Sequence, residues 1–227
     1  MQQEFLNHLL TFVSDNKKEL FNKNIEQRTR HITVVLEDIY QPQNASAVLR
    51  SADCFGVQDV HIIENTNKYT LNPDVVLGAS KWLDLHFYNE DENNTQECLQ
   101  TLKEKGYKIV ATTPHTNDVT IDKLDLTQKT ALVFGTELTG ISEQAIQMAD
   151  EFVKIPMYGF TESFNISVSA ALCMYETTKR LRNDFDPQKW QLSPEEKQEI
   201  LLQWCKKVVK RSDVIEKDFY KRQQSNP

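Results

Sequence analysis

Five polar side chains in this sequence could do chemistry, because each lies in a loop that follows a strand-like run. They are Asn44, Arg50, Glu137, Ser163 and Asn165. An asparagine at the start of a helix can cap the helix or hold an anion, and a carboxylate can make charge-assisted hydrogen bonds. The three loops that carry these residues are more polar than a connection between two elements requires.

Each loop also has an ordinary structural interpretation when it is taken alone. Asn44 could be a helix cap with Arg50 on the surface, and Glu137 could cap a nearby helix. Ser163 or Asn165 could cap the helix that follows, whose first two turns in NISVSAALCMYE are unusually rich in serine and alanine. These alternatives remain open at the level of single loops.

Several common kinds of site are excluded by what the loops lack. Gly135 and Gly140 follow a strand in FGTELTGIS, but the Lys-Ser/Thr end of a phosphate-binding loop is missing. No GxGxxG follows any predicted strand, which argues against a dinucleotide-binding fold. The four cysteines are far apart, so neither a zinc site nor a disulfide framework is predicted, and we expect reduced thiols and no metal.

Strand-like and helical segments alternate through the middle of the chain. The predicted strands are 32–37, 60–63, 85–88, 107–113, 131–135 and 152–156, with helices over 44–54, 95–105 and 142–148. Apolar strands separated by helices of this length predict an α/β fold with a mainly parallel sheet and helices on both faces. Ligands bind beyond the carboxyl ends of the strands in such sheets, which is where the three polar loops begin.

The ends of the chain differ from the middle in composition and charge. The first 30 residues are predicted to be helical, and Ser193, Pro194 and Glu196 form a helix-start signature near the other end. The net charge is −7, but lysines and arginines are concentrated toward the two ends. No apolar run approaches the roughly 20 residues that span a bilayer, and no signal peptide is evident, so we expect a cytoplasmic protein.

Together the three loops resemble the sequence motifs of the SpoU/TrmH branch of the SPOUT RNA methyltransferases. The matching patterns are N-x-S-A-x-x-R-S-A-D in 44–53, F-G-x-E-x-x-G-I within 131–141, and I-P-M-x-G followed by S-x-N-I-S-V-x-x-A in 155–171. One motif would be weak evidence, whereas three in this order are a strong signal. The resemblance covers about residues 32–182 and implies a deep trefoil knot in the C-terminal part of the fold, a homodimer and bound S-adenosylmethionine.

The resemblance also implies roles for individual residues in methyl transfer to a ribose 2′-hydroxyl. Arg50 is expected to act on the hydroxyl with Asn44 as its positioner, and Glu137, Ser163 and Asn165 complete the predicted catalytic set. Because a guanidinium stays protonated at neutral pH, Arg50 is a poor general base. The expected cofactor-binding residues are Thr112, Gly135, Ile155, Met157 and Phe164.

Within that branch, the short helical start and the basic end resemble the enzymes that methylate guanosine 18 in the D-loop of tRNA. We expect a helical extension in 1–30, a methyltransferase domain in 31–183 and a basic helical extension in 184–227. The predicted RNA-binding residues are Arg28, Arg30, Lys179, Arg180 and Arg182. Methylation of rRNA or of another tRNA position, and a catalytically silent RNA-binding dimer, are the alternatives.

Overall fold

A computed structural model describes residues 2–70, 72, 78–91, 93–113, 118–136 and 139–224. The chain forms two compact units. The central unit is Thr29–Trp190, and the terminal unit combines Met1–Arg28 with Gln191–Pro227. The domain limits expected from the sequence, near residues 30 and 183, remain a prediction about which parts of the chain carry the reaction.

The helices alternate with strands through the central unit and fill the terminal unit. They are α1 Gln2–Leu10, α2 Asp15–Ile25, α3 Pro42–Phe55, α4 Asn94–Glu104, α5 Glu143–Met148, α6 Ile166–Asp184, α7 Pro187–Trp190, α8 Pro194–Val208 and α9 Ser212–Gln224. Short 3-10 turns occupy Ala79–Lys81 and Ile121–Lys123. No described helix is long and apolar enough to cross a membrane.

Parallel strands form the sheet of the central unit. They are β1 Ile32–Glu37, β2 Asp59–Ile63, β3 Asp84–Tyr88, β4 Lys108–Thr112, β5 Val119–Thr120, β6 Thr130–Phe134 and β7 Glu151–Lys154. Their order across the sheet is β3-β2-β1-β6-β4-β7-β5, and every neighbouring pair is parallel over the described residues. The predicted α/β class with a parallel sheet is therefore confirmed. The two-residue strand β5 is too short to give a periodic signal in the sequence.

Apolar side chains cover both faces of the sheet. Along β1, Val34 belongs to a cluster that includes residues of α3 and α6, whereas Val35 belongs to a second cluster with residues of α4 and α5. Successive side chains of a strand point to opposite faces. The predicted helices on both faces are thus confirmed, and the continuous apolar character of ITVVLE follows from burial on both sides.

Small residues let α6 lie close to α3. Ala170 of α6 is fully buried in the same cluster as Ala45, Val48 and Ala52 of α3, and the two helices are in contact along their length. A helix with alanine at its contact face can approach another helix more closely than one with leucine there. This contact accounts for part of the serine and alanine content at the start of α6.

In the terminal unit, α1, α2, α8 and α9 enclose a separate apolar core. Phe5, Leu9, Phe21 and Trp204 are all buried there. Ser193 caps α8 as predicted, because its hydroxyl accepts from the backbone N–H of Glu196 and the Glu196 carboxylate accepts from the backbone N–H of Ser193. The helix-start signature read from the sequence is therefore confirmed.

Candidate active site

A cavity of about 370 Å³ lies at the carboxyl ends of three adjacent strands, β6, β4 and β7. Its walls come from the end of β4, from the loops after β6 and β7, and from the first turns of α6. The lining residues include Thr112, Thr113, Gly135, Thr136, Thr139, Gly140, Ile141, Ile155, Met157, Ser163, Phe164, Ile166, Ser169 and Cys173. Ligand pockets have volumes of about 300 to 1,000 Å³, so this cavity can hold a small molecule.

Residues predicted to bind a cofactor meet in this one cavity. Each of the five lines its wall: Thr112, Gly135, Ile155, Met157 and Phe164. They are separated by up to 52 positions in the chain, from Thr112 to Phe164. Their convergence follows from the strand order, because β4 lies between β6 and β7 and the loops after all three strands emerge at the same edge.

Two backbone segments approach each other closely at the loop after β6. Thr136 and Gly140 exchange backbone hydrogen bonds of 2.9 and 3.0 Å. A Cβ atom added to Gly135 would lie 2.1 Å from the carbonyl oxygen of Gly140. Gly140 itself has a φ of 71°, a left-handed conformation that side chains disfavour. Both glycines of this loop are therefore required by geometry.

The cavity wall is apolar with scattered hydroxyl groups. Ile155, Met157 and Phe164 form an apolar side, and hydroxyls come from threonines and serines such as Thr139 and Ser163. None of the described lining residues carries a charged side chain. Such a wall suits a flat ring system that is held by apolar contacts and by hydrogen bonds to backbone groups.

Two predicted catalytic residues, Asn44 and Asn165, are in contact although they come from different motifs. The Asn165 side-chain amide donates to Oδ1 of Asn44 over 3.2 Å. Oδ1 of Asn165 also accepts from the backbone N–H of Ser167 over 2.9 Å, which caps the start of α6. Asn165 is therefore both the helix cap of the ordinary interpretation and a partner of the first motif.

Arg50 and Asn44 leave α3 in different directions. Since α3 begins at Pro42, Asn44 lies in its first turn and is not the cap that the sequence suggested. Six residues correspond to about 600° of rotation, so the two side chains diverge by about 120°. Asn44 is buried and bonds Gln41 and Asn165, whereas Arg50 is exposed. No hydrogen bond joins Arg50 to Asn44, or to any other residue of the described chain, so the expected direct positioning of Arg50 by Asn44 is not seen.

Of the remaining two catalytic candidates, Ser163 and Glu137, the structure describes only Ser163. Ser163 lines the cavity next to Phe164 and is exposed. Glu137 lies outside the described residues, and so its predicted role stays a prediction.

Arg28 and Arg30, which are predicted to bind RNA, have partners within the protein. Arg30 forms ion pairs with Asp59 over 2.9 Å and with Asp84 over 2.7 Å. These ion pairs join the residue just before β1 to the first residues of β2 and β3. Arg28 is only 5% exposed, and its guanidinium lies 5.4 Å from the ring of Trp204 within the terminal unit. Both side chains are thus engaged within the protein, and their contact with RNA stays a prediction.

Two of the three basic residues near the end of α6 are also held internally. Arg180 donates to two carbonyl oxygens of the segment 121–124, at 3.1 and 2.8 Å. Arg182 donates to the carbonyl oxygen of Phe55 over 3.0 Å, and burial lowers its pKa. Their expected contacts with RNA likewise stay a prediction. Lys179 is about half exposed and stays a candidate. The sequence could not indicate which of these side chains bond the protein's own backbone, because every residue type has a backbone carbonyl oxygen.

A second polar cluster lies on β2 and β3, at the edge of the sheet farther from the cavity. The rings of His61 and His86 are stacked with centroids 4.5 Å apart, and His86 Nε2 lies 2.7 Å from the Asp59 carboxylate. Burial, together with the nearby His86, lowers the pKa of His61 to about 3 despite the attraction of Asp59. Burial disfavours the Asp59 carboxylate, yet the His86 hydrogen bond and the charge of Arg30 hold its pKa below the usual value.

The cysteines and acidic residues form no metal site within the described part of the chain. All four cysteines are free thiols; Cys98, Cys173 and Cys205 are buried, whereas Cys54 on α3 is exposed. Burial raises the pKa of Cys173 to about 12 and that of Cys205 to about 11.

Comparison with known proteins agrees with this fold. The profile of the SpoU rRNA Methylase family matches residues 31–175, which is more than half of the chain. The chain therefore belongs to the SpoU methylase family, and the matched residues include the loops after β1, β6 and β7.

Individual relatives extend the similarity beyond the family region. A tRNA (guanosine(18)-2′-O)-methyltransferase of Borreliella burgdorferi is 44% identical over 92% of this chain and 93% of its own length. A 23S rRNA (guanosine-2′-O-)-methyltransferase of Nitrosomonas europaea is 36% identical over 66% of this chain but only 56% of its own length. The crystal structure of a TrmH/SpoU tRNA modifying enzyme of A. aeolicus superposes with a TM-score of 0.73 at 29% identity, covering 85% of this chain and 98% of that one.

Proposed function

We propose that this protein acts in the cytoplasm and transfers a methyl group from S-adenosylmethionine to the ribose 2′-hydroxyl of guanosine 18 in tRNA. One observation carries the proposal. The residues expected to bind the cofactor line a single cavity, and the asparagines of the first and third motifs are hydrogen-bonded to each other. The Borreliella relative, which has this activity in its name, matches nearly the whole chain.

The cavity fits S-adenosylmethionine in size and in chemistry. This cofactor supplies, when bound, a methyl group on a positively charged sulfur. No described residue of the wall carries a positive charge that would repel the sulfonium. Ile155, Met157 and Phe164 offer apolar contacts for an adenine ring, and the backbone of their loop offers hydrogen-bonding groups.

Arg50 is the residue that we propose acts on the substrate. Its guanidinium is exposed and has no hydrogen-bonding or ionic partner among the described residues, so it can receive a phosphate of the RNA. A planar guanidinium binds phosphate through two parallel hydrogen bonds. Arg50 would thereby orient the ribose and stabilise the 2′-oxygen as it loses its proton, with the phosphate or a water accepting that proton.

Asn44 and Asn165 are proposed to position the substrate side of the site. Because Asn165 is adjacent to Phe164 on the cavity wall and bonds Asn44 on α3, the pair links the cofactor loop to the helix that carries Arg50. Ser163, on the cavity wall, is proposed to contact the reacting groups. Glu137 keeps its predicted role of holding a loop or an arginine by charge-assisted hydrogen bonds.

We also propose that the protein is a homodimer and that α6 forms part of the interface. Val168, Leu172 and Tyr175 follow one another at helical spacing and are 43%, 38% and 51% exposed. Phe160, in the loop before α6, is fully exposed. A contiguous apolar surface of this kind on a single chain is typical of an interface.

The trefoil knot expected from the resemblance is part of the same proposal. Its support is that segments following β4, β6 and β7 wrap one cavity, as they would if the chain after β7 passed through a loop made by the earlier segments. Residues 31–183 would then form the methyltransferase domain, with the helical extensions 1–30 and 184–227 contacting tRNA through their lysines.

Transfer to rRNA is the main alternative substrate. The extent of the similarity favours tRNA, because the tRNA relative matches over 93% of its length and the rRNA relative over only 56%. An rRNA enzyme of that kind has a large region with no counterpart in the matched part of this chain.

The test is methylation of purified RNA by the full-length protein. The protein is incubated with methyl-labelled S-adenosylmethionine and either tRNA transcript or rRNA, and the RNA is digested to nucleosides. We expect labelled 2′-O-methylguanosine from tRNA, and none from a transcript in which guanosine 18 is replaced by its 2′-deoxy form. Label in rRNA alone, or at another tRNA position, would overturn the assignment of substrate, and no label in either RNA would overturn the proposed activity.

A further inference from the structure

Glu37, the last residue of β1, has a buried carboxylate next to the cavity loop. Its side chain is part of a residue that is only 2% exposed. The carboxylate accepts hydrogen bonds from the Ser142 backbone N–H over 2.9 Å, from the Ser142 hydroxyl over 2.7 Å and from the Thr95 hydroxyl over 2.6 Å. In the described structure it has no cationic partner, so these three neutral donors compensate its burial.

Two of these hydrogen bonds fix the end of the segment 139–142. Thr139, Gly140 and Ile141 line the cavity, and Ser142 follows them directly. The Ser142 hydroxyl also accepts from the backbone N–H of Ala145 over 3.1 Å and so caps α5. The beginning of the same segment is held by the backbone pair of Thr136 and Gly140.

A third hydrogen bond ties Glu37 to the loops on the other side of β1. Thr95, in the first turn of α4, accepts from the side-chain amide of Asn65 over 2.8 Å, and Asn65 follows β2. The carboxylate of Glu37 therefore connects the cavity segment to the centre of the sheet and to α4. This part of the cavity wall is therefore attached to the sheet and to α4 by side-chain hydrogen bonds.

We propose that Glu37 is a positioning residue that sets the geometry of the cofactor cavity through Ser142. A carboxylate only accepts hydrogen bonds, so both donors of Ser142 must face it. The two Ser142 donors bond different oxygens of Glu37, and a glutamine of the same shape has only one oxygen, so at least one of these two hydrogen bonds is lost or reversed. This inference rests on the proposed function, because it takes the ligand of the cavity to be S-adenosylmethionine.

The test compares cofactor binding with turnover in the full-length Glu37→Gln protein. We expect the dissociation constant for S-adenosylmethionine, measured by titration calorimetry, to rise about tenfold, since a hydrogen bond to a charged group is lost and the wall shifts. At saturating cofactor, kcat and the KM for tRNA should stay within about threefold of the wild type.

Thr33→Val is the matched control, because it removes a buried hydrogen bond to the Asp59 carbonyl at the other end of β1. Its cofactor affinity should not change.

Variants of Ser142 keep the test decisive if Glu37→Gln does not fold. Ser142→Ala should weaken cofactor binding like Glu37→Gln, and Ser142→Thr, which keeps the hydroxyl, should restore most of it. The double variant of Glu37→Gln and Ser142→Ala should bind no more weakly than the worse single variant, because both changes break the same contact.

Two results would overturn the inference while leaving the proposed function intact. One is unchanged cofactor affinity in the variants of Glu37 and Ser142. The other is an equal loss of affinity for cofactor and for tRNA with a lower melting temperature, which indicates a general structural role. If instead the wild-type protein fails to bind S-adenosylmethionine, the proposed function itself is wrong.

Discussion

Asn165 donates a hydrogen bond to Asn44 over 3.2 Å while its own carbonyl oxygen caps α6. The two residues are 121 positions apart and belong to different motifs. One side chain thus determines where α6 begins and how that start is placed against α3. This double use permits a substitution that removes one role and keeps the other.

Replacing Asn165 with serine should separate these two roles. Serine is as good a helix cap as asparagine but is too short to reach Asn44, so the free energy of unfolding should fall only by the roughly 0.5 to 1.5 kcal/mol of one hydrogen bond. Because the link to α3 is lost, kcat/KM for tRNA methylation should fall at least about tenfold. Urea denaturation and steady-state kinetics measure the two effects. Asn165→Ala should lose the cap as well and cost about 1 kcal/mol more than Asn165→Ser. Full activity in Asn165→Ser would show that the Asn44 contact is unimportant.

Gly135→Ala should damage the cavity directly. The added Cβ would lie 2.1 Å from the Gly140 carbonyl oxygen, so the two backbone segments must move apart. We expect the free energy of unfolding to fall by more than about 2 kcal/mol and cofactor binding to become unmeasurable. Thermal denaturation measures the first effect and titration calorimetry the second. Gly159→Ala is the matched control for stability, because nothing lies within 4 Å of its added Cβ. Equal melting temperatures for the two variants would contradict the close approach.

Arg50→Lys should slow the reaction without affecting the cofactor. Lysine keeps the positive charge but lacks the planar fork that binds a phosphate through two hydrogen bonds. Single-turnover methylation of tRNA should fall about a hundredfold, whereas S-adenosylmethionine binding should match the wild type, since Arg50 is not among the residues of the cavity wall. Near-normal turnover would argue against a role that depends on guanidinium geometry.

The buried histidine cluster should make stability depend on pH. Since the pKa of His61 falls from an unfolded value near 6.5 to about 3, the unfolded chain binds more protons between these values. The free energy of unfolding should therefore decrease as pH falls from about 6.5 toward 3, with His61 contributing up to about 1.4 kcal/mol per pH unit. The depressed pKa of Asp59 acts in the same direction once pH approaches the carboxyl range.

His61→Asn isolates the histidine contribution. Urea denaturation at pH 7, 6, 5 and 4 should show a shallower decline for the variant than for the wild type. The same slope in both proteins would mean that His61 is protonated equally in the folded and unfolded states.

The exposed stripe on α6 should hold two chains together. Leu172→Glu places a charge in the middle of the stripe, so the mass measured by light scattering should change from that of a dimer to that of a monomer. Phe87→Glu is the control, because Phe87 is 50% exposed on β3, outside the stripe, and its variant should remain a dimer. A wild-type monomer, or a dimeric Leu172→Glu protein, would contradict the proposed interface.

Much of the central unit was predictable because its strands are buried on both sides. Runs such as ITVVLE are mostly apolar, and the predicted ranges agree with the observed strands to within about two residues. Four of the five predicted cofactor-binding residues that line the cavity lie within the ordered motifs, whereas Thr112 lies outside them. In contrast, Glu37 was missed, although a glutamate that ends an otherwise apolar buried strand is a signal that could have indicated a special role.

The internal partners of the predicted RNA-binding arginines could not be read from the sequence. Arg180 looked like a surface cation near the end of a helix, but its guanidinium satisfies carbonyl oxygens of a turn that is 56 to 59 positions away. Arg30 is likewise paired with Asp59 and Asp84, which join it only through the order of β1, β2 and β3. Such partners are set by tertiary packing, whereas the sequence reports only charge and local spacing.

Cys54 gives this protein a natural attachment point for a reporter group. It is the exposed thiol of the four cysteines, and it lies four residues after Arg50, about one turn along the same side of α3. A maleimide fluorophore would therefore attach there in preference to the three buried thiols, with no engineered cysteine. A change in its emission when tRNA is added would test in real time whether RNA reaches this part of α3.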